Sequence, residues 1–118
     1  MIVIRLVNIT VDNGLHLPAD RSFGIRISGH AGDDIRGRDI VCAAVSALAQ
    51  TLVLSINRLL DVEQAVKTEN GFLTSTVNPV MDKSEEDRLK LLIESFLIGI
   101  LEVQREYPER VKIDYEVG

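Results

Sequence analysis

The sequence has a single cysteine, no tryptophan, three prolines and few aromatic residues of any kind. One cysteine excludes a disulfide within the chain and is typical of a protein kept in a reducing compartment. Aromatic residues make up 4% and apolar residues 46%, so the core must be aliphatic. The N-terminus also lacks a basic, apolar and small-residue signal pattern. We therefore expect a cytoplasmic protein.

The chain also lacks a basic patch, a metal-binding pattern and an uninterrupted hydrophobic run. Lysine and arginine are scattered singly among acidic residues, and the net charge is −5, so we expect no direct contact with nucleic acid. Closely spaced cysteine or histidine pairs are absent, so we expect no metal and no cofactor. Charges interrupt both long apolar segments, which predicts that no segment spans a membrane.

Length and hydropathy suggest one domain that has a partner. A chain of 118 residues should form a single domain over residues 1–118 and bury roughly two-thirds of its unfolded surface. Its mean hydropathy of +0.13 is high for an isolated small domain. The surplus apolar surface favours a homodimer.

Hydrophobic patterns predict five strands and two long helices. Strands are expected at residues 2–11, 22–28, 62–67, 72–77 and 111–117, with an Asn-Gly turn joining the third to the fourth. Apolar stripes predict helices over residues 40–60, capped by Asp39, and 84–107, capped by Ser84. The order ββαββαβ predicts an α+β fold with two layers, in which two helices cover a mostly antiparallel sheet of about five strands.

Cys42 and His30 form the most complete reaction hypothesis in the chain. If Asp39 is the cap, Cys42 is the third helical residue, where unpaired amides and the helix dipole favour a thiolate. A histidine on the preceding glycine-containing loop can accept the thiol proton. Ser46 lies one helical turn further along the same small, semi-polar ridge.

The residues alone leave other interpretations open. A lone cysteine among Val and Ala is commonly a small buried hydrophobe, and a loop histidine is commonly a hydrogen-bonded surface group. Asp39 is explained by helix capping alone. His16 lies in a predicted proline-containing turn and needs no function.

A longer motif surrounds the cysteine and resembles the signature of the ribosomal-processing cysteine protease family. GHAG, a variable loop and GRDIVCAAVS span about a sixth of the chain. The family pattern is matched at Gly29, His30, Ala31, Gly37, Asp39, Ile40, Val41, Cys42, Ala43, Ala44, Val45 and Ser46.

The resemblance implies a cysteine endopeptidase with Cys42 as nucleophile and His30 as acid/base partner. Family members are homodimers that remove a short N-terminal extension from a large-subunit ribosomal protein, after a hydrophobic, phenylalanine-containing sequence. The loop 31–38, which contains Gly32, Asp33, Asp34 and Gly37, is implied to be mobile and to order over the peptide. Asp39 could orient His30 or only cap the helix, and Ser46 could touch substrate or only fit its ridge.

Two other functions compete with proteolysis. A non-enzymatic, dimeric ribosome-associated binding or assembly factor would use the apolar helix faces and leave Cys42 inert. A thiol redox sensor would need a resolving cysteine from another molecule, because this chain holds none.

Overall fold

A computed structural model describes residues 1–29 and 38–118, with the side chains of residues 38 and 39 left out. Its elements are β1 Ile2–Val7, β2 Thr10–Val11, β3 Leu15–His16, β4 Phe23–Gly29, α1 Arg38–Leu59, β5 Gln64–Glu69, β6 Phe72–Val77, α2 Lys83–Glu106 and β7 Val111–Glu116. Five strands form one sheet in the order β5-β6-β4-β1-β7, while β2 and β3 form a separate small sheet. All pairings in the large sheet are antiparallel except that of β1 with β7. The predicted α+β architecture is confirmed.

Alternation along β1 divides the sheet into a covered face and an open face. Ile2, Ile4 and Leu6 are buried, whereas Val3, Arg5 and Val7 are partly exposed. Ile4 pairs with Ile27 of β4 and with Ile113 of β7, so aliphatic side chains line up across the covered face. These residues and the buried stripes of both helices form one hydrophobic cluster, which gives the two-layer arrangement.

The first predicted strand is interrupted at Asn8. This residue has a φ of 57°, and its side-chain amide donates to the carbonyls of Ser22 and Gly118 at 2.8 and 3.0 Å. Asparagine tolerates this left-handed conformation better than the β-branched residues around it. The single strand predicted over residues 2–11 is therefore β1 and the short β2. His16, predicted in a loop, lies in β3, where it contacts Asp12.

Helix α2 is capped two residues earlier than the sequence pattern predicts. The Asp82 carboxylate accepts hydrogen bonds from the amides of Ser84 and Glu85 at 2.8 and 3.2 Å. Ser84 is the second helical residue, so its predicted role as the cap is wrong. Aspartate at this position satisfies two amides that the first helical turn leaves without partners.

Helix α1 begins at Arg38, so the prediction that Asp39 caps it is also wrong. Asp39 is the second helical residue, and Cys42 is the fifth rather than the third. The buried stripe of α1 faces the sheet and consists of Val41, Val45, Ala49, Leu52 and Ile56. Leu48 packs beside Gly99 of α2, where an added Cβ would lie 2.7 Å from a Leu48 methyl carbon.

The expectation that charges interrupt every long apolar segment is wrong for α1. Its segment Ile40–Leu59 is long and apolar enough to cross a membrane, judged by length and composition. A helix that packs in a protein core passes the same test, and α1 contributes five side chains to the core. Only 28% of this segment is buried, so much of the surface of α1 faces outward.

Candidate active site

The described residues form a cavity of about 260 Å³ between the first half of α1 and one end of the sheet. The sheet contributes the beginning of β1, the end of β4 and the turn joining β5 to β6. The lining comprises Ile2, Ile27, Gly29, Cys42, Val45, Ser46, Ala49, Gln50 and residues 68–73. Two of the residues singled out from the sequence, Cys42 and Ser46, therefore face the same space.

Cys42 is half-buried and forms no disulfide. As the fifth residue of α1, it places its amide where it can donate to the Arg38 carbonyl, so this amide is not one of the unpaired groups of the helix start. The side chain of a helical residue is tilted toward the helix N-terminus. The thiol is therefore directed toward the amides that precede it in the chain.

Ser46 and Gln50 continue the ridge of α1 that Cys42 begins. These three residues are spaced four apart, which places them on one side of a helix. The Gln50 side-chain amide donates to the Ser46 hydroxyl oxygen at 2.8 Å, and both side chains are exposed. The ridge therefore offers a thiol, a hydroxyl and an amide along one wall of the cavity.

Aliphatic side chains form the inner part of the cavity. Ile2, Val45 and Ala49 are buried members of the core, and Leu73 packs against that core from β6. Thr68, Glu69 and Asn70 bring polar atoms to the rim. The cavity is thus suited to a molecule that has an apolar group and hydrogen-bonding groups close together.

Gly29 fixes the point at which the chain leaves β4. Its amide donates to the Gly71 carbonyl at 2.9 Å, which ties it to the β5–β6 turn. Its φ is 96°, and an added Cβ would lie 2.3 Å from the carbonyl oxygen of Met1. Only glycine fits this position without displacing the backbone. The residue immediately before His30 is consequently held at the edge of the Cys42 cavity.

Several predicted site residues lie outside the described residues. These are His30 and the loop residues Gly32, Asp33, Asp34 and Gly37, together with the side chain of Asp39. Within residues 1–29 and 38–118, no cluster of histidine, cysteine, aspartate or glutamate is arranged to hold a metal ion. His16 does not line the cavity and contacts Asp12 at 2.8 Å on the small sheet.

Sequence reasoning missed Gln50 and the β5–β6 turn as parts of the site. Gln50 was detectable, because it follows Ser46 by four residues on the predicted helix. The Asn70–Gly71 turn was predicted as a turn, but its position beside Cys42 depends on the order of strands in the sheet.

A thiol that lines a cavity suited to an apolar group is compatible with a cysteine hydrolase, in which a cysteine acts as the nucleophile. Comparison with protein families identifies the class. The model of the family described as cysteine protease Prp matches residues 8–112, and the chain belongs to this family. It is a cysteine protease of the ribosomal-processing type, which sets aside the non-enzymatic interpretation.

Individual relatives agree with this assignment. The ribosomal processing cysteine protease Prp of Bacillus subtilis is 24% identical over 93 residues, covering 74% of this chain and 80% of the relative. The protein in the crystal structure of SMU.848 from Streptococcus mutans has 28% sequence identity to this chain. The alignment covers 100% of this chain and 96% of that protein, with a TM-score of 0.69. The essential ribosomal processing protease Prp from Staphylococcus aureus, crystallised with a substrate peptide, is 22% identical. The alignment covers 98% of this chain and 100% of the Staphylococcus aureus protein, with a TM-score of 0.71.

Proposed function

We propose that this protein removes the short N-terminal extension of a large-subunit ribosomal protein, with Cys42 as the nucleophile and His30 as the acid/base partner. The observation that carries the proposal is the position of Cys42, which is half-buried and lines a cavity with an aliphatic interior. Family membership supports peptide-bond hydrolysis, and the Bacillus subtilis relative is a ribosomal processing protease.

The reaction follows from the chemistry of the two side chains. His30 accepts the thiol proton, and the Cys42 thiolate attacks the scissile carbonyl to form a C–S bond. Breaking the C–N bond releases the amine, which takes its proton from His30, and leaves a thioester. Water then attacks the thioester while His30 accepts its proton, which frees the carboxylate and returns the thiol. Amides at the start of α1, toward which the thiol is directed, stabilise the developing oxyanion.

The lining of the cavity supports a hydrophobic cleavage sequence. Ile27, Val45 and Ala49 provide apolar contacts for a side chain next to the scissile bond, as a phenylalanine-containing sequence requires. Ser46 is assigned to contact with the peptide, because it is exposed at the cavity and already accepts a hydrogen bond from Gln50. Asp39, which precedes Cys42 by three residues on α1, is assigned to orienting His30.

Exposed apolar side chains support a homodimer. On α2, Leu91 and Ile98 are 68% and 66% exposed, and Leu101 continues the same side of the helix. Solvent contact of this kind is unfavourable, and a second copy would remove it. We place the enzyme in the cytoplasm, where ribosomal proteins are made and a lone thiol stays reduced. Light scattering at micromolar concentration should give twice the chain mass, and a monomer would contradict the dimer.

The decisive experiment is incubation of the purified protein with the N-terminally extended ribosomal protein, followed by mass spectrometry of both fragments. We expect two products whose masses sum to that of the substrate plus one water. Cys42→Ala should reduce kcat/KM by roughly 10⁴-fold or more, because the C–S bond can no longer form.

Two further variants control for folding and for the role of the histidine. Ala43→Ser, at an exposed neighbouring position on α1, should retain activity. His30→Ala should lose activity, and its thiol should react more slowly with iodoacetamide at neutral pH than the thiol of the wild-type enzyme. A Cys42→Ala protein that still cleaves the substrate would disprove the proposed mechanism.

A further inference from the structure

Beyond the cavity at Cys42, α1 runs alongside the edge strand β5. At one end, Cys42 and the end of β5 line the same cavity. At the other end, the Gln64 side-chain amide donates to the Val53 carbonyl at 3.1 Å, which joins the start of β5 to the middle of α1. Helix and strand therefore run side by side in opposite directions.

The lengths of the two elements agree. From Cys42 to Val53 the helix advances about 16.5 Å, at about 1.5 Å a residue. From Gln64 to Glu69 the strand also advances about 16.5 Å, at about 3.3 Å a residue. A strand edge of this length can pair with about five residues of extended peptide.

The backbone of β5 has one side free, since β5 ends the order of the described strands. The Asn70–Gly71 turn closes on the pair Glu69–Phe72, and a two-residue hairpin closes with a pair that exchanges both backbone hydrogen bonds. Alternation then directs the backbone groups of Lys67 and Ala65 toward β6. The hydrogen bond from the Asn78 amide to the Glu63 carbonyl, at 3.2 Å, continues the same alternation.

The backbone groups of Gln64, Val66 and Thr68 consequently face away from β6, toward the free edge. The side chains of Val66 and Thr68 share a face with their partners Ser75 and Leu73, which is the face covered by helices elsewhere in the sheet. Val66 is nevertheless 43% exposed. Val66 and a row of backbone amides and carbonyls that, among the described residues, pair with no other strand thus lead toward the cavity at Cys42.

We propose that the substrate binds as an extended strand added to the free edge of β5, with its scissile bond at Cys42 and about five residues of one flank paired along β5. This proposal rests on the proposed function, since it concerns the peptide which that function cleaves. The occupant is an extended peptide because the edge offers donors and acceptors at every second residue, the spacing of a β-strand backbone. Recognition through the backbone leaves the cavity at Cys42 to select the side chain next to the cleaved bond.

A peptide series tests the pairing from the substrate side. The Cys42→Ala protein binds without cleaving, so its affinity can be measured with a fluorescent peptide that spans the cleavage point. N-methylation removes one backbone donor at a time. On one flank of the scissile bond we expect methylation at every second residue to weaken binding about three- to tenfold, with little effect at the residues between. A uniform effect, or none, would overturn the proposal.

Val66→Pro tests the pairing from the protein side. Proline removes the outward amide of β5 but none of the bonds to β6, and proline is tolerated at such edge positions. We expect KM for the active enzyme to rise about three- to tenfold with kcat unchanged. Val66→Ala is the matched control, because it keeps the amide and loses the apolar side chain. Equal effects of the two substitutions would assign binding to the side chain and overturn strand addition.

The outcomes also separate this proposal from the proposed function. If the wild-type enzyme cleaves the extended ribosomal protein but the peptide series shows no alternation, the proposed function stands and strand addition is wrong. If the wild-type enzyme does not cleave that protein, both proposals are wrong. Thermal unfolding of Val66→Pro checks folding, and a variant that fails to fold leaves the peptide series as the deciding measurement.

Discussion

Helices α1 and α2 cover the same sheet with buried stripes of the same spacing, but their outward surfaces differ. Each helix buries five side chains at intervals of three or four residues, apart from the adjacent pair Phe96 and Leu97. Away from the sheet, α2 carries ten charged residues in 24, several of them paired, such as Lys90 with Glu86 at 3.4 Å. Helix α1 carries three charged residues in 22.

The difference shows which surfaces the fold itself requires. Charged pairs and a capping aspartate are typical of a helix whose outer surface is exposed to solvent, and α2 has both. The first half of α1 instead exposes Ala43, Ser46 and Ala47, and of these Ser46 lines the cavity at Cys42. Stability therefore depends on similar positions in both helices, whereas the proposed activity depends on Cys42 of α1.

The largest effect on stability is expected from Ile100→Ala in α2. Ile100 is fully buried, and its truncation leaves a cavity, so the free energy of unfolding should fall by about 2–5 kcal/mol in urea titrations. Ile56→Ala, at the corresponding buried stripe of α1, should have a similar effect. Ile98→Ala is the exposed control, and its effect should stay within about 0.5 kcal/mol in the dissociated chain. Equal losses at Ile98 and Ile100 would contradict the assigned faces of α2.

A smaller effect is expected at the start of α2. Asp82→Ala removes the acceptor for two amides and should lower the free energy of unfolding by about 1 kcal/mol. Ser84→Ala should change it by only a few tenths of a kcal/mol, because Ser84 is inside the helix. Thermal and urea unfolding of both variants compare the two positions, and a larger loss at Ser84 would restore the cap predicted from the sequence.

The smallest effect concerns Lys83 at the beginning of α2. Hydrogen bonding to Asp87, and then to Glu86, raises the pKa of Lys83 above its ordinary value of about 10.5. The stability gained from this amine is thus complete below about pH 10.5 and is lost as pH rises through the raised pKa. Lys83→Met should be slightly less stable than wild type at neutral pH, and the difference should vanish in strong alkali. A difference that widens with pH in urea titrations would refute this sign.

Elements with strong local signals were predictable from the sequence. The stripe of α2, the Asn70–Gly71 turn and the alternation of β1 follow from spacing and turn chemistry within a few residues. The break in the strand at Asn8 was not predictable from the sequence. The hydrogen bonds that favour its conformation are made to Ser22 and Gly118, which are distant in the sequence. The start of α1 was misplaced because Asp39 is a good capping residue that the backbone places inside the helix.

The site was predictable only in part, for a related reason. Cys42 and Ser46 share a helix ridge, so their proximity follows from local spacing alone. Gly29, Thr68 and Asn70 reach the same cavity through the order of strands, which no short segment specifies. The pairing of His30 with Cys42 stays a prediction, since His30 lies outside the described residues.

The parallel pairing of β7 with β1 has a consequence for synthesis on the ribosome. Ile2 is matched with Val111, so β1 waits for β7, which is made later, before both of its edges are hydrogen-bonded. A nascent chain that has not yet produced β7 therefore exposes one edge of β1, the kind of surface on which strands from different molecules aggregate. Synthesis of β7, rather than emergence of the elements before it, is the event that closes the sheet.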